Sequence, residues 1–144
     1  MRTSWVYAAH GTNFVTTMLR LGAQRDELGV VDDQTGCPTS AHDLADALLQ
    51  LATTDTTGTH HLAGRDDASW YQFAEAIFTI ADTAVNVTPI GTADYPTPAP
   101  RPANSRLDST GLAATAGVHL PGWPDALPAV IDAIFTADPA KMKT

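Results

Sequence analysis

Cysteine is nearly absent. Cys37 stands alone, so no intrachain disulfide can form, which fits a reducing compartment. No charged segment followed by an apolar run opens the chain, so no signal peptide is read. No apolar stretch approaches the roughly 20 residues of a membrane span. Together these absences predict a cytoplasmic protein without a membrane partner. Positive charge is scarce too: 8 basic residues stand against 16 acidic ones, a formal charge of −8. That balance repels nucleic acid and anionic membranes, although a local basic spot can still hold one small anion. No G-x-G-x-x-G turn follows a strand, no G-x-x-x-x-G-K-[ST] loop is present, and no G-x-S-x-G elbow. Neither Tyr7, Tyr71 nor Tyr95 has a lysine four places on, and both lysines, Lys141 and Lys143, lie near the C-terminus. No catalytic set is complete, so no residue is given a catalytic role.

What is present is a globular composition, 44% hydrophobic and 17% charged, with length enough for one domain. Thr3–Tyr7, rich in β-branched and aromatic residues, predicts a strand almost at Met1. "GTNFVTTMLRLG" predicts a helix capped by Thr12 or Asn13 and ended by Gly22, with Phe14, Met18 and Leu21 on one face. Residues 28–31 predict a short strand running into the loop "DDQTGCP". Ser40 with Asp43 resembles a capping box for a helix over about 40–52, with Leu44, Leu48 and Leu51 along one side. "THHLAG" (59–64) alternates like a strand. Ser69 and Gln72 repeat the capping pattern before a helix whose face is Trp70, Phe73, Ile77 and Ile80. "VNVTPI" (85–90) predicts a strand, and the proline-rich 94–105 a loop. A short helix at about 109–116 is stopped by Gly117. The last helix has Pro124 in its first turn and a stripe of Leu127, Val130, Ile131, Ile134 and Phe135. The alternation predicts an α/β fold with a few short strands and about five helices. Residues 137–144 are expected to be a disordered tail.

Several residues carry chemistry. Trp5 reads first as a core strand tryptophan, yet a tryptophan at a strand's C-terminal end also suits a ligand crevice. "GTNF" opens a helix whose free N–H groups, with the Asn13 amide, can hold a phosphate; a plain cap explains it as simply. In "DDQTGCPT", turn chemistry accounts for Asp32 and Asp33. Gln34 is the better binding candidate, since a carboxamide pairs with a base edge. Cys37 has no evident activating base and reads as inert. Adjacent His60 and His61 point to opposite faces of a strand, and His10, His42 and His119 lack ligand spacing, so no metal is expected. "YPTPAPRPANS" sets Tyr95, Arg101 and Asn104 in a stiff loop: an aromatic face, a phosphate fork and an amide.

In order and spacing, "RTSWVYAAHGTNFVTTMLRLG", "VVDDQTGCPT", "LADALL", "HLAG", "SWYQFA", "YPTPAPRPANSRLD" and "LPGWPDAL" resemble the C-terminal half of the dTDP-4-dehydrorhamnose reductases, a family of extended short-chain dehydrogenase/reductases. Such enzymes use NADPH or NADH to reduce dTDP-6-deoxy-L-lyxo-4-hexulose to dTDP-L-rhamnose, for dTDP-rhamnose and polysaccharide biosynthesis. The resemblance implies that residues 1–136 are the substrate-binding part of a Rossmann-type reductase. By it, the chain begins just past the catalytic tyrosine of a longer enzyme and lacks the cofactor domain. It further implies that Trp5 contacts the rhamnosyl ring and that Thr3 and Ser4 pass near the nicotinamide. Asn13 and Phe14 then lie near the diphosphate, Gln34 and the loop to Pro38 wall the thymidine pocket, and Arg101 and Asn104 close over the diphosphate. The expected ligand is a dTDP-sugar, with no cofactor held by this chain alone. Some members bind magnesium through glutamates at a dimer contact; Glu27 and Glu75 form no cluster, so no metal is expected here. A distant relative regulates methionine adenosyltransferase, so a non-catalytic sugar-nucleotide or regulatory module is the alternative. A third reading is a damaged product that self-associates through the exposed N-terminal strand.

Overall fold

The structure, a computed structural model, describes residues 1–137. The tail expected at 137–144 lies outside the described residues, apart from Ala137, which closes the last helix. The elements run β1 (Val6–Tyr7), α1 (Phe14–Gly22), β2 (Glu27–Val31), β3 (Thr35–Gly36), β4 (Thr39–Ser40) and α2 (Ala41–Leu51). They continue β5 (Ala68–Ser69), α3 (Trp70–Ile80), β6 (Asn86–Ile90), a 3₁₀ turn (Thr92–Asp94), α4 (Thr110–Ala116) and α5 (Trp123–Ala137). This is the mixed α/β architecture expected, with short strands and five helices among the described residues.

Local chemistry sets most helix ends. Asn13 caps α1: its side chain accepts from Thr16 N while the Thr16 hydroxyl receives the Asn13 N–H. Ser69 and Gln72 form the same reciprocal box at α3. Ser40 accepts from Asp43 N at α2. Gly117 takes a left-handed φ of 68° to end α4. Gly22 plays a different part from the expected terminator. A Cβ there would lie 2.5 Å from Phe78 Cε1, so the glycine lets α1 approach α3.

Two expected strands differ. Thr3–Tyr7 shortens to Val6–Tyr7, because Trp5 sits at φ 50°, outside the extended region. "THHLAG" forms only an isolated bridge, His61 with Arg2. Of the leucine side expected for α2, Leu44 and Leu51 pack half-buried against the second core cluster, whereas Leu48 is exposed and Ala47 is the helix's buried residue.

Three two-stranded sheets tie distant segments. β1 pairs parallel with β4, β2 parallel with β6, and β3 antiparallel with β5. Pro89, which has no N–H to donate, is accommodated in the edge strand β6. α1, α3 and α5 bury their apolar faces together with Leu28, Val30 and Tyr7 in the main core. Ala47, Leu62, Leu112, Val118 and Leu120 form a second cluster.

Tyr7 is the polar exception in that core. Its ring is 1% exposed and its hydroxyl has no hydrogen-bond partner. Burial, followed by the nearby Asp43 carboxylate, pushes its phenol well above the usual value, so the ring is neutral. Tyr7→Phe should therefore keep the fold and add about 1 kcal/mol of stability, read as a higher urea midpoint at unchanged slope. A loss of that size would mean that the hydroxyl makes a bond in solution.

Candidate functional site

A cavity of about 630 Å³ opens between α1, β2, the start of α3 and the proline-rich loop. Its floor is β2, whose other edge pairs with β6. Phe14, Thr17, Met18 and Leu21 of α1 form one wall. The mouth carries Tyr95, Thr97, Arg101 and Pro102. That loop is fixed at its far end, where Thr35 donates to the Ala103 carbonyl and Ser105 N donates to the Thr35 carbonyl, each at 2.8 Å.

An aromatic stack closes one end. The rings of Trp5 and Trp70 lie 3.4 Å apart and 6° from parallel. Gly36 lies against the same indole; a Cβ there would sit 2.2 Å from Trp5 Cε2. With Trp70 directly over one face, that approach comes from the other, so Trp5 meets the cavity by its edge. Phe14 leans on Trp70 at 42° with centroids 4.6 Å apart. A left-handed backbone at a bulky residue costs about 1–3 kcal/mol and persists only where the surroundings impose it. Here the stack, Gly36 and a hydrogen bond impose it.

Hydrogen bonds fix both indoles. Trp5 Nε1 donates to Ser105 Oγ at 2.9 Å, and Ser105 Oγ donates to the Thr35 carbonyl at 3.2 Å. Trp70 Nε1 donates to Gln34 Oε1 at 3.2 Å, and Gln34 Nε2 donates to Thr92 Oγ1 at 2.9 Å. The Thr92 hydroxyl then donates to Asp33 at 2.6 Å, and its N–H also reaches that carboxylate. These Thr92 bonds hold the Asp33 carboxyl below its usual range. Asp32 accepts from the Ser69 hydroxyl. The paired aspartates, read from sequence as turn residues, are thus long-range ties. Gln34 is buried, and these bonds use its carbonyl and one of its two amide hydrogens.

Two guanidiniums, Arg25 and Arg101, line the cavity, and neither makes an ion pair among the described residues. With the Glu27 carboxylate in the same lining, they leave the cavity walls with one excess positive charge in a chain of net charge −8.

Of the sequence-derived candidates, Trp5, Phe14, Gln34 and Arg101 meet at this cavity, while Asn13, Asn104, Thr3 and Ser4 do not line it. The Asn13 amide donates to the Ala8 and His10 carbonyls. Asn104 Oδ1 accepts from Arg106 N and Nε. Thr3 is exposed, whereas Ser4 Oγ is buried without a partner. Sequence reasoning missed that Arg25 and Trp70 line this cavity. Arg25 had no motif around it, and Trp70 was absorbed into a helix face. Cys37 is buried, and no group of three or more His, Cys, Asp or Glu among the described residues is placed to hold a metal ion. No helix among them is long and apolar enough to cross a membrane.

Known proteins resemble the chain in sequence and fold over most of its length. Residues 1–135 match the family model described as the RmlD substrate binding domain. The dTDP-4-dehydrorhamnose reductase of Sinorhizobium fredii is 47% identical over 134 residues, 85% of this chain and 45% of that protein. The Escherichia coli K12 enzyme of the same name is 39% identical, over 94% of this chain and 49% of its own length. The Clostridium acetobutylicum reductase structure superposes with a TM-score of 0.87 at 43% identity, over 91% of this chain and 46% of that one. The chain spans about half the length of the relatives it matches.

Proposed function

The chain belongs to the RmlD substrate-binding domain family, and from that premise we propose that it is the sugar-nucleotide-binding part of a dTDP-4-dehydrorhamnose reductase. The observation that carries the reading is the cavity itself. It joins an aromatic end, a buried carboxamide and two unpaired guanidiniums in an otherwise acidic chain. Arg25 and Arg101 would neutralise a diphosphate. The Trp5, Trp70 and Phe14 end would receive the sugar, and the free Gln34 hydrogen would orient an acceptor on the ligand.

A Bacillus anthracis reductase structure, 38% identical with a TM-score of 0.85, is described in complex with NADP. Ser4 Oγ, next to Trp5 in the chain and buried without a partner, fits a group that brings its own donor or acceptor. When bound, a nicotinamide supplies the hydride. This chain's residues would hold the sugar and exclude water beside it. No Gly-rich phosphate cradle is among its motifs.

The chain alone is expected to bind dTDP and dTDP-L-rhamnose in a calorimetric titration. Arg101→Ala should weaken dTDP by about tenfold or more, from loss of a charge-assisted contact. It should turn over no NADPH with the 4-keto sugar nucleotide. Absence of dTDP binding, or steady NADPH consumption by the chain alone, would refute the corresponding half of the reading.

A further inference from the structure

The proline-rich segment at the cavity mouth carries an inference that rests on, and deepens, the sugar-nucleotide reading. It is pinned at two places. Tyr95 N donates to the Thr92 carbonyl at one end, and Thr35 N donates to the Ala103 carbonyl at the other. Between those pins, residues 96–102 make a single hydrogen bond among the described residues, from Thr97 Oγ1 to the Ala99 carbonyl, and it stays within the segment. Pro96, Pro98, Pro100 and Pro102 lack an N–H and fix φ, so the stretch is stiff along its length and untied to the body beneath it. Tyr95 is 60% exposed, and Arg101 has no acidic partner among the described residues. Arg25, the other guanidinium of the cavity, sits in the connection between α1 and β2. A ligand anion therefore meets one cation on the body and one on the stiff arm. Both pins lead to the same place. Thr92 accepts from Gln34, which holds the Trp70 indole, and Ser105, just past Ala103, holds the Trp5 indole. Those two indoles stack at 3.4 Å.

We propose that residues 95–102 form a flap, hinged at Tyr95 and Ala103, that swings onto a bound diphosphate through Arg101, and that Thr92 and Ser105 are positioning residues that carry the closure to the indole stack. The closed state gains the charge-assisted contact of Arg101 with the anion and covers the Tyr95 ring. A ligand shifts the flap only by binding the closed state better, so a nucleoside without phosphate leaves it open. The prolines keep the arm in one shape in both states, so closure costs the freedom of two hinges and little more. Rotation at either hinge moves a residue bonded to the indoles, through Gln34 at one end and directly at the other. The diphosphate site and the aromatic end are thereby coupled.

The test uses dTDP, which brings the anion and no sugar to the aromatic end, with thymidine as the probe that lacks phosphate. A fluorophore is placed at Ala99→Cys. Ala99 is exposed and lines no wall of the cavity, and Cys37 is buried, so the label falls on the flap. Saturating dTDP is expected to raise its anisotropy by about a third or more and thymidine to leave it unchanged, since closure removes nanosecond motion. Pro98→Gly with Pro100→Gly, also outside the cavity lining, should weaken dTDP by about fivefold or more and thymidine by less than about twofold, because glycine restores freedom that the flap must then lose. In the wild-type chain dTDP should also change the far-ultraviolet circular dichroism of the stacked Trp5 and Trp70 indoles. Ser105→Ala should remove about half of that change or more while the anisotropy still rises. Calorimetric heat from dTDP with unchanged anisotropy overturns the flap. So does equal weakening of dTDP and thymidine by the glycines, the mark of a merely structural loop. So does an indole signal that Ser105→Ala leaves whole. No heat from dTDP at all overturns the function proposed above and the flap with it, and the calorimetric arm reads that case separately.

Discussion

Phe73→Ala is expected to remove about 3–5 kcal/mol of stability, the range for truncating a buried phenylalanine. The ring is 1% exposed and joins three walls. It stacks on Phe14 of α1 at 5.7 Å, tilts against Tyr7 of β1 at 5.3 Å and meets Trp123 of α5 edge-on at 5.3 Å. Domains of this size hold about 5–15 kcal/mol in all, so the variant should be largely unfolded near the temperature at which the parent begins to melt. Ligand binding should fall with it, since Phe14 rests on Phe73 and Trp70 rests on Phe14. Urea denaturation followed by tryptophan fluorescence measures the loss. A change under about 1 kcal/mol would show that the three helices close over the gap without this ring.

Gly36→Ala should have the second large effect, and it acts on the site. The new methyl would occupy space within 2.2–2.7 Å of three Trp5 ring atoms. The indole cannot retreat, because Trp70 lies 3.4 Å behind it and Ser105 holds its N–H. Overpacking of this kind costs about 1–3 kcal/mol. It should also abolish the far-ultraviolet circular-dichroism couplet expected of the stacked Trp5 and Trp70 indoles and weaken dTDP-L-rhamnose by at least about tenfold, while dTDP loses less. Equal weakening of both ligands would mean that the stack supports the cavity as a whole and does not face the sugar.

Features governed by neighbours in sequence were legible without the structure. The reciprocal cap of Ser69 and Gln72 needs only three residues of spacing, and Gly117 only its missing side chain. The buried stripe of α5 follows from helical periodicity. The proline-rich run 94–105 reads as a loop from composition alone, and beyond the 3₁₀ turn Thr92–Asp94 it forms no helix and no strand longer than the bridge at Asn104. What was not legible depends on partners far along the chain. Trp5 looked like a strand residue until Trp70, Gly36 and Ser105 are seen to hold it at positive φ. Asp33 looked like a turn residue, but its partner is Thr92. Gln34 was singled out for its amide, yet its lock on Trp70 could be read only from the fold. Arg25 stands outside every motif, and only the cavity gives it a role.

The pairing of remote segments has a kinetic consequence. Val6 must find Thr39, Glu27 must find Asn86, and Thr35 must find both Ser69 and Asn104. No two neighbouring strands can form a hairpin nucleus, so each ladder waits on closure of a long intervening loop. Such a topology places assembly in the slower regime of small domains, with α1, α3 and α5 collapsing first. β2 then acquires its partner late, and a newly made chain displays that apolar ribbon to chaperones, or to its own copies, until β6 arrives.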